Sequence, residues 1–185
     1  MKRISMAMVA AAGLCVAMAP SVRAQGSLRY GVNLGLLMPM SNYNDVDKLG
    51  WVAGAGATYW LPGNIGVRVD GSYSQTSHKD VNGSAVDGNT KIAGGMASLV
   101  YALQPASAPA RVFITAGLGM YNVKQDIGGI SGSATKVGFG GGAGVALKLG
   151  PSPMRLVLAT RYTSVATDNN STQFLPITVG LSFGK

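Results

Sequence analysis

The stretch Ile65-Gly66-Val67-Arg68-Val69-Asp70-Gly71-Ser72-Tyr73-Ser74 decides the fold. Ile65, Val67, Val69, Gly71 and Tyr73 share one parity, and Gly66, Arg68, Asp70, Ser72 and Ser74 the other. A period of two with unlike faces is the signature of a β-strand whose two sides meet different surroundings. No helix of period 3.6 would sort these side chains in this way.

The same rhythm recurs on both sides. Upstream, Tyr30, Val32, Leu34, Leu36 and Met38 alternate with Arg29, Gly31, Asn33, Gly35 and Leu37, and Trp51, Ala53, Ala55, Ala57 and Tyr59 oppose Val52, Gly54, Gly56, Thr58 and Trp60. Downstream, Val112, Ile114, Ala116, Leu118 and Met120 oppose Arg111, Phe113, Thr115, Gly117 and Gly119, and Val137, Phe139, Ala143, Val145 and Leu147 oppose Lys136, Gly138, Gly140, Gly142, Gly144 and Lys148. Two more segments follow: Leu156, Leu158, Thr160 and Tyr162 against Arg155, Val157, Ala159 and Arg161, then Leu175, Ile177, Val179, Leu181 and Phe183 against Thr178, Gly180 and Ser182. Residues 91–103 alternate too, but Ile92, Met96 and Val100 share a parity opposite Leu99, Tyr101 and Leu103, so the pattern leaves the facing of this segment open.

Eight such segments are joined alternately by short connectors (61–64, 104–109, 150–154) and longer ones (40–50, 77–89, 125–134, 166–172). Pro62-Gly63, Pro105, Pro109 and Gly150-Pro151 punctuate the short set, while Asn, Asp, Ser and Gly fill the long set as solvated surface loops would require. The expected architecture is an all-β, eight-stranded antiparallel up-and-down transmembrane β-barrel, with short turns toward the periplasm and long loops outside. No run after Ala24 reaches the 18 apolar residues of a transmembrane helix.

The N-terminus fits that destination. Lys2 and Arg3 precede an apolar stretch from Ile4 to Ala19, the pattern of a secretory signal peptide. Cleavage after Ala19 would leave Pro20 next to the cut, whereas cleavage after Ala24 leaves Gln25; residues 1–24 are therefore expected to be signal peptide and 25–185 the barrel. Cys15 lacks both a Leu three positions upstream and a small residue beside the thiol, so the lipoprotein reading is disfavoured. The processed chain keeps no cysteine, and hence no disulfide or thiolate metal site.

Losing Lys2, Arg3 and Arg23 from fifteen basic residues leaves twelve against seven acids, all Asp, a net charge of +5. These cations are spread singly rather than in a stripe, which argues against nucleic acid. Arg68, Asp70 and Arg161 fall on inward parity, where unpaired charge is costly, and are expected to form a lumen charge network. That network is read as a salt-bridged plug, with a narrow polar path for ions as the alternative, because eight strands enclose little more than their own side chains.

Aromatic residues are expected at the two headgroup levels. Trp51, Tyr73, Tyr121 and Tyr162 lie near the long-loop ends of their segments, and Tyr59, Trp60, Tyr101 and Phe183 near the short-turn ends. From Trp51 to Tyr59 the tilted chain climbs about 20 Å, close to an apolar band.

With the signal peptide, the eight segments, the four longer loops and the closing Pro176-Ile177-Thr178-Val179-Gly180-Leu181-Ser182-Phe183 in view, the chain resembles the small outer-membrane β-barrel family that includes OmpX and the transmembrane domain of OmpA. The resemblance implies a Gram-negative outer membrane and contact with its lipid and lipopolysaccharide. It also implies insertion by the barrel-assembly machinery, with Phe183, followed by Gly184 and Lys185, as the terminal aromatic of the signal that machinery reads. A monomer without nucleic acid, cofactor or further domain is expected, acting structurally or through its surface loops.

Other chemistry is thin. Gly138-Phe139-Gly140-Gly141-Gly142-Ala143-Gly144 lacks the following helix that a phosphate loop needs. His78, the only histidine, neighbours Asp80 in a loop, and there is no Glu for the Ser-His-Glu constellation that lipid A deacylases of this shape resemble. Asp45 and Asp47 could at most hold a divalent cation loosely against lipopolysaccharide phosphates. No catalytic, cofactor or metal residue is therefore assigned.

Overall fold

A computed structural model describes residues 26–41, 43–44, 47–79, 88–127, 130–166 and 171–184. The cleavage site at Ala24, and Asp45 and Asp80, lie outside the described residues. Eight strands follow one another as β1 (Ser27–Met40), β2 (Gly50–Trp60), β3 (Ile65–Ser77), β4 (Gly88–Ala102), β5 (Ala110–Ile127), β6 (Ile130–Lys148), β7 (Arg155–Ala166) and β8 (Ser171–Phe183). Each pairs antiparallel with its sequence neighbours, and β1 pairs with β8, so the sheet closes into a barrel.

The register fixes the barrel's shape. Paired residues run from Tyr30 through Ala57, Val69, Ala97, Leu118, Phe139, Ser164 and Gln173, and return to β1 at Met40, ten residues beyond the start. Eight strands with that stagger tilt by about 40° from the axis, within the range that lets side chains alone fill the interior.

The apolar parity faces out. Tyr30, Val32, Leu34, Leu36 and Met38 of β1, Val67 and Val69 of β3, Ile114, Leu118 and Met120 of β5, Val137 and Phe139 of β6 and Ile177 and Val179 of β8 are all exposed. An apolar exterior this large and continuous has no soluble rationale; it meets hydrocarbon. Strand β4 follows the same rule: Leu99 and Tyr101 are exposed, while Ile92, Met96, Val100 and Ala102 are buried inside. Packing against β3 and β5 settles what the sequence left open, since Met96 is registered with Asp70 and Gly119, both on inward parity.

Three connectors are tight turns closed by backbone bonds, Leu61 N to Ile65 O, Leu103 N to Val112 O and Leu149 N to Met154 O. Gly63 (φ 96°) and Gly150 (φ 61°) supply the left-handed backbone such turns need. Two long connectors depart from the solvated-loop expectation. Strands β5 and β6 stay paired as far as Ile127 and Ile130, so most of 125–134 is ladder. Connector 40–50 folds back onto the barrel: Asn44 N bonds Ser41 O, Asp47 N bonds Tyr43 O, and Asp47 bridges His78.

Candidate functional site: the barrel lumen

Inward parity sorts the interior into layers. At the short-turn end, Val100, Ala102 and Phe113 form a buried apolar cluster with Trp60, Ala146, Val157 and Ala159 packed on it. Toward the other end, Leu37, Tyr43, Val52, Ile92, Met96, Tyr121, Val123, Val165 and Phe174 form a second, larger one, with the Tyr121 and Phe174 rings edge to face at 6.0 Å. Alongside them runs a cavity of about 130 Å³ that reaches Arg29 and Ser182 at the short-turn rim; apolar side chains share its lining with Asn33, Arg68, Asp70, Ser72, Thr115 and Arg161.

The three charges assigned from the sequence meet at this cavity, but not as one cluster. Arg161 clasps Asp70 with both prongs, Nη1 to Oδ1 at 3.0 Å and Nη2 to Oδ2 at 2.9 Å. Arg68 instead donates its Nε to Thr58 Oγ1 at 3.0 Å and lies 5.3 Å from the centre of the Phe113 ring. Strands β3 and β7 stand four apart around the circle, so the Asp70–Arg161 pair crosses the lumen and fixes its width.

Three further arginines face inward at the short-turn end. The Arg111 guanidinium stacks on Trp60 at 3.8 Å and donates Nε to Gln104 O. Arg155 donates to Ala106 O, Ala108 O and Ala146 O, and Arg29 to Pro153 O, Gly184 O and Ser182 Oγ. They act as clamps that hold turns to the barrel rim. Their inward parity was readable in sequence, but most of their carbonyl partners, at Gln104, Ala106, Ala108 and Pro153, sit in turns that carry no pattern.

The aromatic belt is corrected at two positions. Tyr121 is only 2% exposed and belongs to the inner apolar cluster, not to a girdle. Its odd number on β5 puts it on the inward parity, and that outranks its closeness to the strand end. Trp60 likewise points into the lumen, beneath Arg111. Trp51, Tyr73 and Tyr101 are exposed on the outer face, and the first two rings touch at 5.5 Å. Tyr59, Tyr162 and Phe183 are half-buried.

A polar knot at the long-connector end was missed. Asp47, fully buried, accepts Thr76 Oγ1 at 2.8 Å and Thr90 Oγ1 at 3.0 Å; Tyr43 Oη and Thr76 Oγ1 lie 2.8 Å apart. His78, also buried, sets Nε2 3.3 Å from Thr90 Oγ1 and 3.8 Å from Asp47 Oδ1. The histidine expected in a loop is thus a packed one just beyond β3. Burial pushes the Asp47 carboxyl above its ordinary range against the opposing pull of the Thr76 and Thr90 hydroxyls and of His78 and Lys79. The inward parity of Thr76 and Thr90 was the available signal; connector 40–50 gave no hint that it would return to meet them.

A closed sheet with an apolar exterior, layered interior and strand-only crossings defines a transmembrane β-barrel. The chain belongs to the outer membrane protein beta-barrel domain family, whose model it matches over residues 7–183. That family places it in the bacterial outer membrane. Among solved structures it is similar to Neisserial surface protein A, with 19% identity over 85% of this chain and 97% of that one and a TM-score of 0.65. It is also similar to OprG of Pseudomonas aeruginosa, with 13% identity, 86% and 97% coverage and a TM-score of 0.62. The N-terminal β-barrel domain of Pseudomonas aeruginosa OprF gives 16% identity, 87% and 100% coverage and a TM-score of 0.55. At these identities the likeness is one of fold. No curated protein matches the chain.

Proposed function

We propose that this barrel is a plugged membrane scaffold that acts through its outer surface rather than by conducting solute or by catalysis. The carrying observation is the pair of buried apolar clusters packed inside the lumen, one toward each end, with the Asp70–Arg161 pair strung across it. By the rule that short turns face the periplasm, the larger layer and the Asp47 knot lie on the outer side, toward the end from which the β5–β6 hairpin extends. The hairpin, whose strands stay paired as far as Ile127 and Ile130, extends the outward surface, and Asp126 of β5 lies 3.6 Å from Lys91 of β4 and 3.4 Å from Lys124.

The Thr90–His78–Asp47 contacts do not support a hydrolytic relay. Both partners face the same ring nitrogen, Nε2, whereas a relay needs the base and its orienting carboxylate on opposite nitrogens. The partners proposed are outer-membrane lipid and lipopolysaccharide around the wall, and the assembly machinery during insertion, for a monomer without a cofactor. The central polar cavity favours a narrow conduit as the second reading. Planar-bilayer recording of the purified chain separates the two: the plug gives no discrete openings, and reproducible unitary steps would overturn it.

A further inference from the structure

We propose that Tyr43 and Asp47 form a proton-controlled latch at the long-connector end of the lumen: with a proton on the Asp47–His78 pair the two residues sit locked inside the barrel, and without it they come free.

The argument starts from what holds Tyr43. Among the described residues it is the one member of the larger apolar cluster that no strand carries; the others lie on β1, β2, β4, β5, β7 and β8. Its seat therefore depends on the bonds around it. Asp47 N donates to Tyr43 O and ties the two residues together, and Lys48 N donates to Ser77 O. The Asp47 carboxylate takes Thr76 Oγ1 on Oδ1 and Thr90 Oγ1 on Oδ2. A hydroxyl has one proton, so Thr76 and Thr90, which give theirs to Asp47, accept from Tyr43 Oη and His78 Nε2 in turn. Two chains of hydrogen bonds thus converge on one carboxylate, and Tyr43 is fastened through it.

The second observation is the burial of that carboxylate with its histidine. Asp47 is 0% and His78 4% exposed, and a side chain at Gly88 would strike the His78 ring, so the pair is closed in on that side as well. Without a titrating proton the pair carries one negative charge; a proton on either partner brings it to zero. Once Asp47 is free in solvent, water holds its ionised form and no proton is needed. The seated form binds the proton more tightly, in line with the burial that raises the Asp47 carboxyl. On raising the pH the freed form gives up its proton first, so the seat is firm in acid and weakens as pH climbs through the seated value. Three further groups face the pair without reversing that sign: Lys79, held at Asn44 O, and the neutral Thr76 and Thr90. Tyr43, whose phenol burial pushes upward, stays neutral across this range.

The latch stands apart from the plug reading, since a conducting barrel could carry it too; bilayer recording and the test below fail separately. That test is amide hydrogen exchange of the full chain in a neutral detergent, read by NMR from about pH 4 to neutrality and corrected for each amide's intrinsic rate. Protection of the Asp47 and Lys48 amides should fall about tenfold for each pH unit between the freed and seated values. Val69, in the ladder between β2 and β4, should not follow. Asp47→Asn should remove the pH dependence. Thr90→Val takes one donor from the ionised carboxylate and should enlarge the fall; it carries the test if Asp47→Asn does not fold. Asp126→Asn, which touches only Lys91 and Lys124, should keep the parent's curve. Protection at Asp47 and Lys48 that is flat with pH overturns the proposal, as does a fall shared in full by Val69. A fall that persists in Asp47→Asn, fails to grow in Thr90→Val where that variant carries the test, or vanishes in Asp126→Asn does the same.

Discussion

Arg161 of β7 and Asp70 of β3 face one another across the full lumen and form two hydrogen bonds, at 3.0 and 2.9 Å, between opposite walls of the barrel. A pair in this position ties the cylinder's cross-section in a way that neighbouring strands cannot. It also leaves each partner dependent on the other, because neither is fully solvated.

Asp70→Ala should therefore strand Arg161 beside Arg68 and destabilise the fold by about 3 kcal/mol, the scale for breaking a buried pair from one side. Asp126→Ala, which loses only its partly exposed contacts to Lys91 and Lys124, should cost under about 1 kcal/mol. Unfolding midpoints of the two variants in the same detergent check the difference; equal values would reject the buried-pair account.

Lipid contact makes a depth-dependent prediction. Leu118, 66% exposed, lies near the middle of the outward face, whereas Leu103 follows β4 at the short-turn rim. Leu118→Arg should cost roughly 2–4 kcal/mol in a bilayer and Leu103→Arg no more than about 1 kcal/mol. Equilibrium unfolding from vesicles measures both.

Tyr121 and Tyr73 carry the same side chain on opposite faces. Tyr121→Ala empties a packed site against Phe174 and should cost about 3–5 kcal/mol, while Tyr73→Ala removes only a rim contact with Trp51 and should cost clearly less. Unfolding midpoints of the two variants check the order, and the reverse order would restore Tyr121 to the girdle.

The buried Asp47 gives a pH dependence with a definite sign. Its folded-state pKa is raised, so on raising the pH the unfolded chain gives up this proton first. The stabilisation present in acid is then lost as pH climbs from about 4 through the raised value. His78, Lys79, Thr76 and Thr90 face the carboxyl and moderate the effect without reversing it. Unfolding midpoints between pH 4 and neutrality should fall in the parent and stay flatter in Asp47→Asn.

Alternation made the barrel legible because a period of two carries facing directly: β1, β3 and β5 show the expected sides residue for residue. It failed where both parities are apolar, as in β4, since composition then cannot say which side is lipid; only the register with Asp70 and Gly119 does. Of the site, the Asp70–Arg161 pair was readable because charge inside a wall demands a partner. The separation of Arg68 from that pair was not, because nothing in sequence says that Thr58 lies closer. The Asp47 knot was invisible for a different reason: it depends on a connector folding back, and connectors have no period to read.

The most direct test of the central claim is a single-cysteine scan along Leu28–Met38 of a chain begun at Gln25, which has no cysteine of its own, with spin labels read in vesicles for collision with oxygen. The barrel predicts a sawtooth of period two, with maxima at Leu28, Tyr30, Val32, Leu34, Leu36 and Met38 and minima at Arg29, Gly31, Asn33, Gly35 and Leu37. A flat profile, or maxima on the odd positions, would contradict it.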